Sequence, residues 1–276
     1  MKSAAITKQN RQALPPGSRL WKPNNLESVA TWLSPRRTSG LAVSSGLSSW
    51  RDAKGNTEFV QATAAKQPTL TENKPDFKGL VVPDFDGAND VLADETPTDL
   101  YDVGVGDFYI MAAIKTGAAV SGPVICLQRE GNNEQINLGI LSNRSGSFFN
   151  LTISGLAINT GSTSITTNTT YLLYCERLQY TTNVYVNGVK DTSDLINATS
   201  INNNAAACIG ALTSSSFAGF DGKIAEVVIG MAKPDQATGV IGTTERQLLE
   251  GYMAHNCGIA SNLPSDHPYR KGPPRL

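Results

Sequence analysis

FDGKIAEVVIGMAKPDQATGVIGTTERQLLEGYMAHNCGIASNLPSDHP, residues 220–268, joins one clear strand to one clear helix, and its reading decides the fold. Residues 223–230 are apolar and β-branched. Ile224, Val227, Val228 and Ile229 supply side chains to both faces, as a strand near the centre of a covered sheet requires, and Gly222 and Gly230 bound it. After a loop rich in Pro and Gly, Thr244 followed three residues later by Gln247 gives a capping-box signature. Leu248, Leu249, Tyr252 and Met253 then recur at helical spacing, which predicts a helix over about 244–257 closed by Gly258.

Upstream, from Asp107, short strand candidates alternate with turn signals at 108–115, 124–129, 136–141, 148–153, 171–177, 183–189 and 206–212. That is an all-β pattern, with the helix as its single exception. In TYLLYCERLQYTTNVYVNGVKDT, residues 170–192, two alternating segments meet at a short polar turn. Asn187-Gly188 then offers the positive φ angles of a type I′ hairpin.

A chain of 276 residues with 40% hydrophobic content can bury one sizeable core, and a sandwich of this length forms one domain. Its 23 Lys plus Arg against 24 Asp plus Glu leave a net charge of −1, so no general attraction draws it to nucleic acid or to an anionic membrane. Partners must be recognised locally. MKSAAITKQNRQALPPGSR, residues 1–19, is basic but has no apolar core of signal-peptide length, and no run approaches the length that crosses a bilayer. The expectation is a soluble product of a host cytoplasm. Cys126, Cys175, Cys208 and Cys257 sit apart in apolar contexts without a C-x-x-C pair, so they are expected as buried free thiols rather than zinc ligands.

Pro15-Pro16-Gly17 sets off an arm, residues 1–20, from a domain over 21–262 and a tail over 263–276. Ordering a backbone costs roughly 1–2 kcal/mol per residue. Arm and tail have too little apolar surface to repay that, so neighbouring subunits are expected to hold them. Lys2, Lys8, Arg11 and Arg19, with Arg270 and Lys271, are the candidate assembly contacts.

Several motifs occur in order. Trp21-x-Pro23 and Trp32-Leu33 are followed by Trp50, Asp52, Gly55 and Asn56, then by Gln67-Pro68-Thr69 and by Asp86-Gly87 within DFDGAND. The Y-x-V-N-G hairpin and the LLEGYMAHNCG helix, with its Tyr252 and His255, come last. Over roughly residues 21–270 this series resembles the concanavalin-A-like (laminin-G-like) jelly-roll modules of bacteriophage structural proteins. Asn256 and Cys257 stand where that family usually has Lys and Trp, and Ser34-Pro35, with Arg36 and Arg37 beyond, replaces its Asp after Trp-Leu. The resemblance implies an all-β, concanavalin-A-like sandwich with one C-terminal capping helix. It also implies a non-enzymatic virion protein. A capsid decoration or cement protein, touching major capsid protein, tail proteins or its own copies through arm and tail, is the preferred form. A carbohydrate-binding tail or receptor-binding module is the alternative. Independently of family, Trp32 and Trp50 read as bulky core fillers of a sandwich, and Gly55-Asn56 as a tight turn.

Asp84, Asp86, Asn89 and Asp90 crowd oxygen ligands into one turn, which raises calcium. The spacing is not that of an EF-hand, and carboxylates bonding the turn's own backbone are the preferred reading. No other cofactor is expected. The Ser, Thr and Asn of residues 142–204 fit a solvated sheet face, which in a lectin would hold sugar hydroxyls beside an aromatic ring, and the sequons at Asn143, Asn150, Asn168 and Asn197 are expected by composition alone. Glycan cleavage needs two carboxylates facing each other across the bond. Glu226 stands alone on its strand, Glu130 and Glu134 flank a turn, and His255 and His267 look isolated, so no enzyme is expected.

Overall fold

Asp221–Met231 is the longest of the described strands and runs through both glycines expected to bound it. Each glycine permits a close approach. A Cβ on Gly222, at φ +137°, would lie 2.2 Å from the Lys115 carbonyl oxygen, and one on Gly230 would lie 2.0 Å from the Tyr109 ring. The computed structural model describes residues 19–35, 41–43, 46–72, 76–95, 98–128, 135–143, 146–153, 156–192, 194–201, 206–213, 219–232 and 242–276. Two antiparallel sheets form the expected β-sandwich, with one C-terminal helix.

The first sheet has the order Val189–Lys190, Thr181–Val186, Thr170–Leu178, Phe108–Thr116, Asp221–Met231, Val81–Asp86, Thr69–Glu72. Val29–Leu33 also pairs with the central Asp221–Met231, from Val29 opposite Gly230 to Leu33 opposite Val227. The second sheet has the order Leu156–Ser164, Gly146–Ile153, Gln135–Asn143, Gly122–Gln128, Ala207–Ile209, Leu92–Asp94, Glu58–Val60, Leu47–Arg51, Leu41–Val43. Leu156–Ser164 has no counterpart among the expected strands, because its Ser, Thr and Gly content hides the alternation.

Period-two alternation divides the apolar residues between two cores. Phe108, Ile110, Ala112 and Ile114 point between the sheets with Ile224, Val227, Ile229 and Trp50. Tyr109, Met111, Ala113, Ala225 and Val228 point outward and are covered by Leu249, Met253, Ala254 and Cys257 of the helix. Trp32 belongs to this outer core, not to the space between the sheets, because its strand position faces the helix. All four cysteines are buried and free.

The helix spans Thr243–Cys257 and starts one residue earlier than its expected cap. Gly242 takes the N-cap position, and its N–H donates to Glu245 Oε2 at 3.0 Å, so Glu245 fills the role assigned to Gln247. Gly258 closes the helix in the left-handed region at φ +77°. Asn187 at φ 52° and Gly188 at φ 80° form the expected tight turn. Gln179 at φ 49° and Tyr180 at φ 67° form a second one that no residue preference announces.

The tail departs most from expectation, because it is held by its own chain. The Trp21 N–H donates to the Pro274 carbonyl at 3.1 Å, and the Leu276 N–H to the Arg19 carbonyl at 3.0 Å. Tyr269 crosses the helix where a Cβ on Gly251 would meet its own Cβ at 2.3 Å, and its carbonyl bonds His255 Nε2 at 2.7 Å. Lys2, Lys8 and Arg11 lie outside the described residues. Deleting residues 269–276 should therefore lower the folding free energy of the isolated protein by about 2–4 kcal/mol, since several hydrogen bonds and a packed aromatic are lost together. Urea unfolding would measure it, and an unchanged midpoint would return the tail to the control of neighbours.

Candidate functional site

The central strand carries a β-bulge. Ile224 is opposite Ile114 and Glu226 is opposite Ala113, so Ala225 and Glu226 together face one partner residue. The extra residue turns the Glu226 carboxylate outward, under the helix, where it is fully buried. Trp32 Nε1 donates to its Oε1 at 2.7 Å, Asn256 Nδ2 to its Oε2 at 2.6 Å, and the Cys257 thiol to the same oxygen at 3.5 Å. Burial pushes this carboxyl above its ordinary range, and the bonds from Asn256, Trp32, Ser34 and Cys257 pull against that without cancelling it. Asn256 and Cys257 are thus the helix residues that meet Glu226.

Trp32 is placed by the turn that carries Trp50, Asp52, Gly55 and Asn56. Asp52 Oδ1 accepts the Trp32 N–H at 2.6 Å while its Oδ2 accepts the Asn56 N–H at 3.0 Å, and Asn56 Nδ2 reaches the Ala30 carbonyl at 3.0 Å. Gly55 makes the turn at φ +84°. The Tyr252 ring then meets Trp32 edge-on at 5.9 Å and Trp21 at 6.2 Å.

Above these groups opens a cleft of about 480 Å³, lined by Trp32, Ser34, Tyr252, His255 and Asn256 and flanked by Leu20, Lys22, Lys78 and Pro273. The volume lies in the range that small ligands occupy, and the lining mixes aromatic edges with a few polar groups. Lys78 Nζ donates to the His255 carbonyl at 2.7 Å, a cation at a helix C-terminus. Tyr252 and His255 were legible as motif positions. Lys22, Lys78 and Pro273 were not, since the cleft is assembled from five separate segments.

The remaining candidates fall elsewhere. Asp86 Oδ1 accepts the N–H groups of Ala88, Asn89 and Asp90 at 2.8, 3.1 and 3.3 Å, and Asp90 Oδ2 accepts the Asp86 N–H at 3.0 Å. Asp84 pairs with Lys223 at 2.8 Å. These carboxylates serve the turn and the adjoining strand, and among the described residues no group of three or more His, Cys, Asp or Glu is arranged to hold a metal ion. Gly87, at φ +75°, lies where a Cβ would meet that of Asp221 at 2.8 Å. His267, expected to be isolated, is buried against Glu250. Its Nε2–H donates to Glu250 Oε2 at 3.0 Å and its Nδ1 accepts the Tyr269 N–H at 3.2 Å, while Arg246 bonds the other Glu250 oxygen at 2.5 Å. Glu176 accepts from Tyr174 at 2.8 Å and from Tyr185 at 3.2 Å. The polar strands are less solvated than expected, for Asn150, Thr152 and Asn159 are buried, with Asn150 Nδ2 on Thr152 Oγ1 at 2.8 Å.

No family model and no curated protein matches the chain. Solved structures do. Domain 4 of AbnA, a GH43 extracellular arabinanase from Geobacillus stearothermophilus, in complex with arabinotriose, matches with a TM-score of 0.52 at 16% identity, over 78% of this chain and 98% of that one. Trypanosoma rangeli sialidase in complex with sialic acid gives 0.54 at 14% over 81% of this chain and 32% of the sialidase. The binding domain of Paraclostridial Mosquitocidal Protein 1 gives 0.52 at 12%, over 82% and 52%. The likeness is one of fold alone. The chain spans about a third of the sialidase, and the part of the resemblance specific to phage proteins has no matching family behind it.

Two substitutions test the polar groups. Glu226→Gln keeps the volume but turns an amide N–H2 toward a donor, so it should cost about 1–3 kcal/mol in chemical denaturation. Asp90 is pushed up to about 6, first by burial and then by the Asp86 charge. A carboxyl raised in the folded state contributes stability while protonated, and that contribution is lost as pH rises from about 4 toward 6. Asp90→Asn should flatten this fall in thermal unfolding and raise stability at pH 7 by on the order of 1 kcal/mol, after allowing for the solvent that still reaches the group. A wild-type pH profile retained by the variant would contradict this.

Proposed function

We propose that this chain is a non-catalytic glycan-binding module whose site is the cleft at the C-terminal end of the helix. The observation that carries the reading is the cleft's composition: Trp32, Tyr252, His255, Asn256 and Ser34 line about 480 Å³. Flat apolar edges beside fixed hydrogen-bonding groups suit the two kinds of surface on a sugar. The sandwich structures it resembles include one in complex with arabinotriose, which supports the same class of ligand.

The placement of the described carboxylates supports binding without cleavage. Glu226 is taken up by Trp32, Asn256 and Cys257, Glu250 by Arg246 and His267, and Glu176 by Tyr174 and Tyr185. None of the three lines the cleft, and its described lining includes no Asp or Glu, whereas hydrolysis would require a facing pair. In the virion that the motifs imply, the module would be a host-adhesion or tail component. The capsid-decoration reading rested on arm and tail together, and the tail is bonded to its own domain. The arm stays the proposed contact with other virion proteins and with further copies of the chain.

The test is a glycan array followed by titration calorimetry. We expect saturable binding with Kd near 0.1 mM or tighter, about −5.5 kcal/mol, and amide shifts on titration that centre on residues 22, 78, 255 and 256. An array without signal, or shifts confined to the second sheet, would reject the cleft as a glycan site.

A further inference from the structure

We infer that the ligand of this cleft is an acidic saccharide, held by Lys22 and Lys78 through its anionic group; the inference rests on the glycan-binding reading. The cleft's charge is unlike that of the chain as a whole. The protein has a net charge of −1, yet the described residues lining the cleft include Lys22 and Lys78 and no Asp or Glu.

The two lysines are not used up inside the protein. Among the described residues neither makes an ion pair with a carboxylate. Lys78 is also held in place. Its stem packs where a Cβ on Gly258 would lie 2.4 Å from its Cγ, and its ammonium is fixed on the His255 carbonyl at 2.7 Å, leaving two N–H donors for a ligand. The helix end accounts for Lys78 as a structural cation. It does not account for Lys22, which is exposed on the facing segment and whose side chain bonds to no described residue. Two cations on separate segments lining one cleft attract an anion, and the aromatic side chains that line it beside them offer apolar contact to an anion carried on a ring. Glu226 lies beneath the floor with its oxygens turned to Trp32 and Asn256, and burial shifts it toward its neutral form, which reduces its repulsion.

The chemistry is shared by sugar carboxylates, phosphates and sulfates, so the experiment separates them. The full chain is applied to an array of hexuronate, nonulosonate, phosphorylated and sulfated oligosaccharides, each beside its neutral counterpart. Calorimetry follows for wild type, Lys22→Gln and Lys78→Gln, with Lys78→Arg as the charge-retaining control and melting temperatures to confirm folding. Expected is at least a tenfold preference for acidic over neutral partners, at least a tenfold loss in each Gln variant, retention in Lys78→Arg, and weakening as salt rises from about 0.05 to 0.5 M. The class of anion that binds identifies the group. Equal binding of neutral partners would overturn this inference and leave the glycan reading standing. An acidic preference that survives both Gln substitutions would place it outside the cleft and overturn it as well. An array without any binding would remove both.

Discussion

One buried carboxylate fastens the two halves of the molecule together. Glu226 reaches the helix side only because the bulge at Ala225–Glu226 spends two residues opposite one, and without that extra residue the alternation would send its side chain between the sheets. Once outside, it collects an indole N–H from the first strand and an amide from the last turn of the helix. Trp32 and Asn256 are the parts that shape the cleft, so the same carboxylate that seals the helix also sets the geometry of the site. The cleft is a by-product of a structural joint, and its floor is as rigid as the joint.

A second polar joint sits toward the other end of the helix, where Glu250 ties Arg246 to His267 and Arg246 lies over the Tyr185 ring at 4.1 Å. Between the sheets, Arg177 does similar work: it is fully buried, donates to the carbonyls of Gly104, Gly106 and Thr199, and lies over Phe108. Desolvation lowers it to about 10, still well above neutrality. Buried charges of this kind add little net stability compared with apolar packing, but removing one partner strands the other. They set which way the helix and loops dock, while the two apolar cores supply the driving force.

The fold was legible where a local pattern carries it. The β-branched run ending near Met231, the heptad-like spacing of Leu249, Tyr252 and Met253, and the Asn187-Gly188 turn are all properties of a few adjacent residues. The Trp-x-Asp-x-x-Gly-Asn turn was legible as a turn, but that Asp52 would grip the backbone of Trp32 was not, because the bond spans twenty residues. Trp32 and Trp50 are legible as core residues, but which of the two cores each fills is not, since a period of two fixes alternation and not which face is which. The cleft was the least legible part. Lys22, Ser34, Lys78, Asn256 and Pro273 come from distant segments, and no spacing rule connects a lysine with left-handed backbone at φ 52° to a helix end. The tail misled for an energetic reason: its prolines and basic residues exclude it from a core, but its backbone can still pair along an edge.

That pairing also decides how the module would carry load. Arg19 faces Leu276, and Trp21 faces Pro274, across one short antiparallel bridge. Tension applied through residues 19 and 276 would open this bridge like a zip, one hydrogen bond at a time, before any of it reached the sheets. The first thing to come away would be the segments that carry Leu20, Lys22 and Pro273 along the rim of the cleft. Strain on residues 19–22 or 273–276 would thus change the shape of the cleft's rim while the two sheets stay as they are.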